Sequence, residues 1–219
     1  VFVTLVFLAG LMAVIAWWLV KQTINVEPWE AQLPFARGSA WSLPLEKTGL
    51  WVLLAVITSL FCLLVSAYAM RMHHHGDWRS LPEPGLLWVN TGLLILSSVF
   101  MQRARNAAER EALVDVRAGL NAGGVFALAF MIGQLLAWRQ LNASGYFIAS
   151  NPANAFFYMI TGLHGLHLLG GLVAWGRSLA RVWRGAEAAE VRLGVELCTT
   201  YWHFLLVVWL VLFGLMLST

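Results

Sequence analysis

Three histidines stand inside long apolar runs of this sequence: His164 and His167 in TGLHGLHLLGG, from Thr161 to Gly171, and His203 in YWHF, from Tyr201 to Phe204. Neutral imidazole is a common ligand for metals and haem iron, so histidines converging from two helices have one sharp reading, a bound metal or haem. The rival reading is hydrogen bonding between helices, where polar side chains in apolar surroundings find their partners. His164 and His167, at i and i+3, share a helix face. No carboxylate lies in mid-segment and no second cluster accompanies the three, so the pattern favours structural use.

The other candidates are fewer still. Glu196 stands at the start of the last apolar run, where a carboxylate meets the positive end of a helix dipole. It either caps that helix or enters a polar network, and it lies about 10 Å along the helix from His203, which excludes direct contact. His73, His74 and His75 read as a solvated turn, because adjacent loop side chains cannot surround an ion as spaced ligands do. Cys62 and Cys198 lack the spacing of a disulfide framework or zinc site and read as small buried hydrophobes. There is no phosphate-binding glycine loop, nucleophile with its base, paired carboxylates or CxxC. No charge lines the middle of the apolar runs, so a self-contained enzyme or ion pump is hard to build from this chain.

The elements that must position these residues follow from composition. With 60% hydrophobic and 11% charged side chains among 219 residues, a water-soluble fold is excluded. Six apolar segments run from Val1 to Val20, Gly49 to Met70, Gly85 to Met101, Leu120 to Trp138, Ala155 to Trp175 and Leu197 to Leu217. Each approaches the length needed to cross a hydrocarbon core of about 30 Å, and none shows the alternation of a membrane barrel. The expectation is an all-α integral membrane protein, a bundle of six transmembrane helices. Residues 1–48 supply the first helix and an irregular connection with Pro28, Pro34 and Pro44, and residues 49–219 a five-helix bundle.

Lys and Arg in the connections are distributed eleven to three between the two sides, and the richer side is cytoplasmic by the positive-inside rule. Both ends then lie outside. The chain opens on Val1; removal of an initiator Met and a seventh helix before Val1 both remain open as explanations. Trp17, Trp18, Trp51, Trp88, Trp138 and Trp175 fall near segment ends and report membrane depth. Gly119-x-x-x-Gly123, with Gly162, Gly165, Gly170 and Ala174, predicts close helix packing. The net charge of +3 does not imply nucleic acid, since it is distributed as membrane topology requires.

At TGLHGLHLLGG and at VELCTTYWHFLLVVWLVLF, Val195 to Phe213, the sequence resembles subunit III of the haem-copper cytochrome c oxidases, whose last helices read TGxHGxH and then E-x-YWHF-x-VVW. KTGLWVLLAVITSLF from Lys47, DWRSLPEPGLLWVNTGLLILSS from Asp77 and GYFIASNPANAFFY from Gly145 support the resemblance. It implies an accessory subunit without redox centres, in a bacterial plasma-membrane oxidase that reduces dioxygen to water and pumps protons. Haem and copper would sit in partner subunits, with subunit I bound directly, subunit II in the same complex, phospholipid held between helices and cytochrome c as electron donor. The subunit would stabilise subunit I and support proton uptake. His164, His167, Glu196, Tyr201, Trp202, His203 and Trp209 match the motifs and carry over as lipid-contact or packing residues, with no catalytic, cofactor-binding or metal-ligating role. Two departures stand out: Ile57 replaces a carboxylate common in the family, and Leu206 replaces the Asp that often follows YWHF. Alternatives are a subunit III-like partner of a quinol oxidase or nitric oxide reductase, and an independent bis-histidine membrane cytochrome.

Overall fold

The computed structural model describes residues 45–74, 85–186 and 188–218. These residues form five helices: α1 (Leu45–His74), α2 (Leu86–Glu109), α3 (Leu113–Ala143), α4 (Pro152–Trp183) and α5 (Ala188–Leu217). The helix expected at Val1 to Val20 lies outside the described residues, as do Trp17, Trp18 and His75. Four helices among those described, all but α2, are long and apolar enough to cross a membrane. The described residues form an all-helical bundle, that of a membrane protein.

The helices outrun the apolar segments. At 1.5 Å per residue, helices of about 30 residues reach about 45 Å, well past a hydrocarbon core of about 30 Å. Arg103, Arg105, Arg117, Arg139, Arg177, Arg181 and Arg192, expected in connections, therefore lie within helices. Intrahelical hydrogen bonding does not require apolar side chains, and the Ala, Arg and Glu that flank the spans are good helix formers. His73 and His74 close α1 instead of forming a turn. The ends have local causes as well: the Asn151 side chain accepts from the Ala153 backbone N–H at 3.1 Å, with Pro152 in the first turn of α4. Gly145 and Gly185, at φ 85° and 73°, turn the chain out of α3 and α4.

α2 is less apolar because of what it faces. Asn90, Thr91, Ser97 and Ser98 are all buried, on the stripe that also carries Leu87, Leu94, Met101 and Ala104. This stripe packs against α3 and α5. Gly119 and Gly123 of α3 let the helices meet, since added side chains would press on Ala104 and Met101 respectively. α5 is the hub, touching α1, α2 and α4. Its Trp202, Leu205, Trp209 and Leu212 are almost wholly buried. Large apolar side chains such as Val56, Val125, Ile132, Leu166 and Val211 point outward, as in a bundle solvated by lipid.

Trp138 and Trp175 do more than mark depth. The Trp138 indole donates to Thr161 Oγ1 at 3.1 Å, and that of Trp175 to the Leu120 carbonyl at 2.8 Å, each tying α3 to α4.

Candidate functional site

The motif histidine and tryptophans of α5 sit on a polar seam with α2. Trp209 donates to Thr91 Oγ1 at 2.9 Å, and Trp202 to Ser97 Oγ at 2.8 Å. Ser97 in turn donates to the Gly123 carbonyl at 2.7 Å, so one hydroxyl joins α5, α2 and α3. His203 has both ring nitrogens engaged, Nδ1 with Ser98 Oγ at 2.5 Å and Nε2 with Gln102 Oε1 at 2.9 Å. Gln102 Nε2 donates to Asn106 Oδ1 at 2.8 Å, which leaves Gln102 Oε1 to accept from His203 Nε2–H. His203 Nδ1 then accepts from the Ser98 hydroxyl.

At the arginine-rich end the seam closes on an ionic cluster. Glu196 Oε1 lies 2.7 Å from Lys47 Nζ and 3.8 Å from Arg105 Nη2, and Arg105 Nε lies 3.5 Å from Glu109. Glu196 is thus in a network and not a cap: α5 starts at Ala188, two turns earlier, beyond the reach of an end effect. Lys47 and Arg105 were missed as site residues because their roles depend on which helix ends meet. The seam itself had a signal, since residues 90, 91, 97 and 98 are small polar residues spaced along one helix face.

The three intramembrane histidines behave differently from one another. Only His203 makes the expected hydrogen bonds between helices. His167 Nδ1 donates to the Leu163 carbonyl of its own helix at 2.7 Å. His164 is wholly buried with neither nitrogen hydrogen-bonded, and its ring lies 5.2 to 6.4 Å from those of Trp209, Phe130 and Phe61. A bis-histidine haem would require His203 to release Gln102 or Ser98 and free a ring nitrogen that now faces α2, so the residues present fit that group poorly. Among the described residues no group of three or more His, Cys, Asp or Glu is placed to hold a metal. Cys198 is buried but Cys62 only half-buried.

Beside the seam, a groove of about 470 Å³ lies between α1, α4 and α5. Leu50, Leu53 and Ile57 form its α1 wall, and His167 and Tyr201 line it in mid-span. The Tyr201 hydroxyl donates to the His167 carbonyl at 3.0 Å. Arg177, Ser178 and Arg181 line its charged end. Here the expectation of close packing fails in part: Gly170 has open space where a side chain would project, and Ala174 lines the groove. Small residues on α4 make room here, whereas Gly171 packs beneath Tyr201 and Trp202.

A family model described as cytochrome c oxidase subunit III matches residues 81–218, which takes in α2 to α5. The probable cytochrome c oxidase subunit 3 of Mycobacterium tuberculosis is 32% identical over 149 residues, 67% of this chain and 73% of that one. The cytochrome c oxidase subunit 3 of Thermostichus vulcanus is 30% identical over 175 residues, 77% and 84% of the two chains. The cytochrome bo(3) ubiquinol oxidase subunit 3 of Pseudomonas aeruginosa is 26% identical over 168 residues, 75% and 80% of the two chains.

Proposed function

The chain belongs to the cytochrome c oxidase subunit III family, and from that premise we propose that it is the accessory, non-catalytic subunit of a proton-pumping terminal oxidase in a bacterial plasma membrane. One observation carries the reading: the polar atoms of the last-helix motif, YWHF with the following VVW, are directed at neighbouring helices of the same chain. Tyr201, Trp202, His203 and Trp209 hydrogen-bond to His167, Ser97, Ser98 with Gln102, and Thr91 respectively. Groups held this way build a rigid bundle. Haem and copper would reside in partner subunits, with this chain bracing subunit I directly and subunit II belonging to the same complex.

The groove suits phospholipid. Its walls are apolar over most of their length and cationic at one end, so acyl chains would lie along Leu53, Ile57 and Leu166 while Arg177 and Arg181 meet the phosphate. His167 and Tyr201 are then lipid-contact residues, and His164, Trp202, His203 and Trp209 packing residues. Glu196, in its cluster with Lys47 and Arg105, would be the polar surface through which the subunit supports proton uptake.

Cytochrome c is the proposed electron donor. The Pseudomonas aeruginosa relative, named for ubiquinol, supports the second reading, a quinol oxidase. Purification through a tag on this chain, with reduced-minus-oxidised spectra before and after its partners are stripped away, tests the proposal. Haem signals should depart with the partners, and the intact complex should oxidise cytochrome c in preference to ubiquinol. Haem remaining on the stripped chain would instead identify a cytochrome, and co-purifying nitric oxide reductase activity would reassign the partner.

A further inference from the structure

α1 is held to the bundle unevenly along its length. Toward its carboxyl end Tyr68 lies edge-on to Phe156 at 5.6 Å, and in mid-span Phe61 meets the rings of His164 and His167 at 6.4 and 5.5 Å. Below Phe61 the helix bridges the groove: Leu50, Leu53 and Ile57 line one side, while Gly170, Ala174 and Gly194 keep the other side shallow. One turn before Leu50, Lys47 reaches across to Glu196 on α5 at 2.7 Å. The helix thus resembles a strap with aromatic rings at its middle and far end, an ion pair at its near end, and a cavity beneath.

The ion pair has the chemistry of a reversible fastening. Lys47 and Glu196 side chains are 28% and 27% exposed, so water reaches both groups and the pair is only modestly stabilising. If Lys47 withdraws, Glu196 keeps Arg105 within 3.8 Å and is not left as a bare carboxylate. The freed ammonium would stand at the arginine-rich end of the span, where lipid phosphates can solvate it. Neither state strands a charge in apolar surroundings, so the two can lie close in free energy.

We propose that Lys47 and Glu196, backed by Arg105, form a clasp that holds the amino-terminal half of α1 across the groove and sets how readily a chain-like anionic amphiphile passes in or out sideways. The passenger rests on the phospholipid reading of the groove; the clasp rests on the geometry of α1.

The test uses the intact oxidase complex purified through this chain, with Cys62 and Cys198 changed to Ala and spin labels at Gly49→Cys and Arg184→Cys. Both positions are exposed, and nothing lies within 4 Å of a side chain added at Gly49. Lys47→Met should lengthen and broaden the distance distribution between the labels. Lys47→Arg, which keeps a cation opposite Glu196, should leave it close to the wild-type width. In parallel, brominated phosphatidylglycerol loaded from vesicles should leave the Lys47→Met complex about 1.5- to fivefold faster than the wild type, the range expected for a partly exposed ion pair. Lys47→Arg should release it at close to the wild-type rate. An unchanged distance distribution in Lys47→Met, or a Lys47→Arg distribution as broad as that of Lys47→Met, overturns the clasp. A helix that loosens as expected in a complex whose wild type retains no phosphatidylglycerol would instead overturn the phospholipid reading and leave the fastening of α1 in place.

Discussion

Ser97→Ala isolates the junction on which three helices depend. Ser97 is wholly buried; its oxygen accepts from the Trp202 indole at 2.8 Å and its hydroxyl donates to Gly123 at 2.7 Å. Removing the oxygen leaves the indole N–H buried without an acceptor, which in a soluble core costs about 1–3 kcal/mol. In membranes, couplings between helices average about 0.6 kcal/mol and reach about 1.7, because chains unfolded in lipid also find partners. The expected loss is therefore about 1 kcal/mol, or about 2–4 °C in Tm for a chain of this size. Trp202→Phe breaks the same bond and adds a packing defect. Because the bond can be lost only once, the double variant should be about 0.6–1 kcal/mol more stable than the sum of the single losses. Thermal unfolding in one mild detergent, followed by circular dichroism for all four proteins, measures that coupling. Losses that add to within about 0.3 kcal/mol would refute the junction as a source of stability.

Gly124→Ala should destabilise by about 1–3 kcal/mol, because the new methyl would run into the rigid indole of Trp175, itself fixed to the Leu120 carbonyl; an unchanged Tm would mean that α4 yields freely. Asn154→Ala removes donors to the Phe147 carbonyl and Ser150 Oγ, both at 3.0 Å. Limited proteolysis within residues 144–151 should accelerate, and an unaltered rate would show that the turn holds without them. His203→Ala leaves Ser98 and Gln102 without their shared partner and should weaken retention of this chain in the complex while oxygen reduction persists. Complete loss of turnover in a fully assembled complex would contradict a packing role.

The all-helical membrane architecture was legible because lipid demands long apolar runs, and every expected segment within the described residues contains or underlies a helix. The bounds were not, since hydropathy marks what contacts lipid and not where intrahelical hydrogen bonding stops. α2 shows the limit from the other direction: its buried Asn90, Thr91, Ser97 and Ser98 lower its hydropathy, yet they lie where it packs against α3 and α5. Motif recognition found Trp202, His203 and Trp209 but not their partners, because a partner 100 residues away is fixed by helix register and crossing, which local spacing does not encode. The ionic cluster was half visible. Glu196 stood out as a lone carboxylate, whereas Lys47 and Arg105 were indistinguishable from topology-setting cations until the helix ends were brought together.

The departure at Ile57 bears on what the groove can hold. Ile57 is 3% exposed and shares the groove lining with His167, so a carboxylate there would put a negative charge, or a protonated acid needing a partner, into its apolar middle. With isoleucine, the α1 wall is apolar from Leu50 to Ile57, and the fixed charges lining the groove are Arg177 and Arg181 at one end. Polarity is therefore graded along the groove, cationic at its mouth and apolar within. That gradient orients an amphiphile by its two ends, with the phosphate drawn to the arginines and the chain driven inward. Glu196 does not cancel it, because the same carboxylate is already taken by Lys47 and Arg105. The proposed fastening of α1 would thus also keep a carboxylate from competing with a lipid phosphate for the groove's arginines.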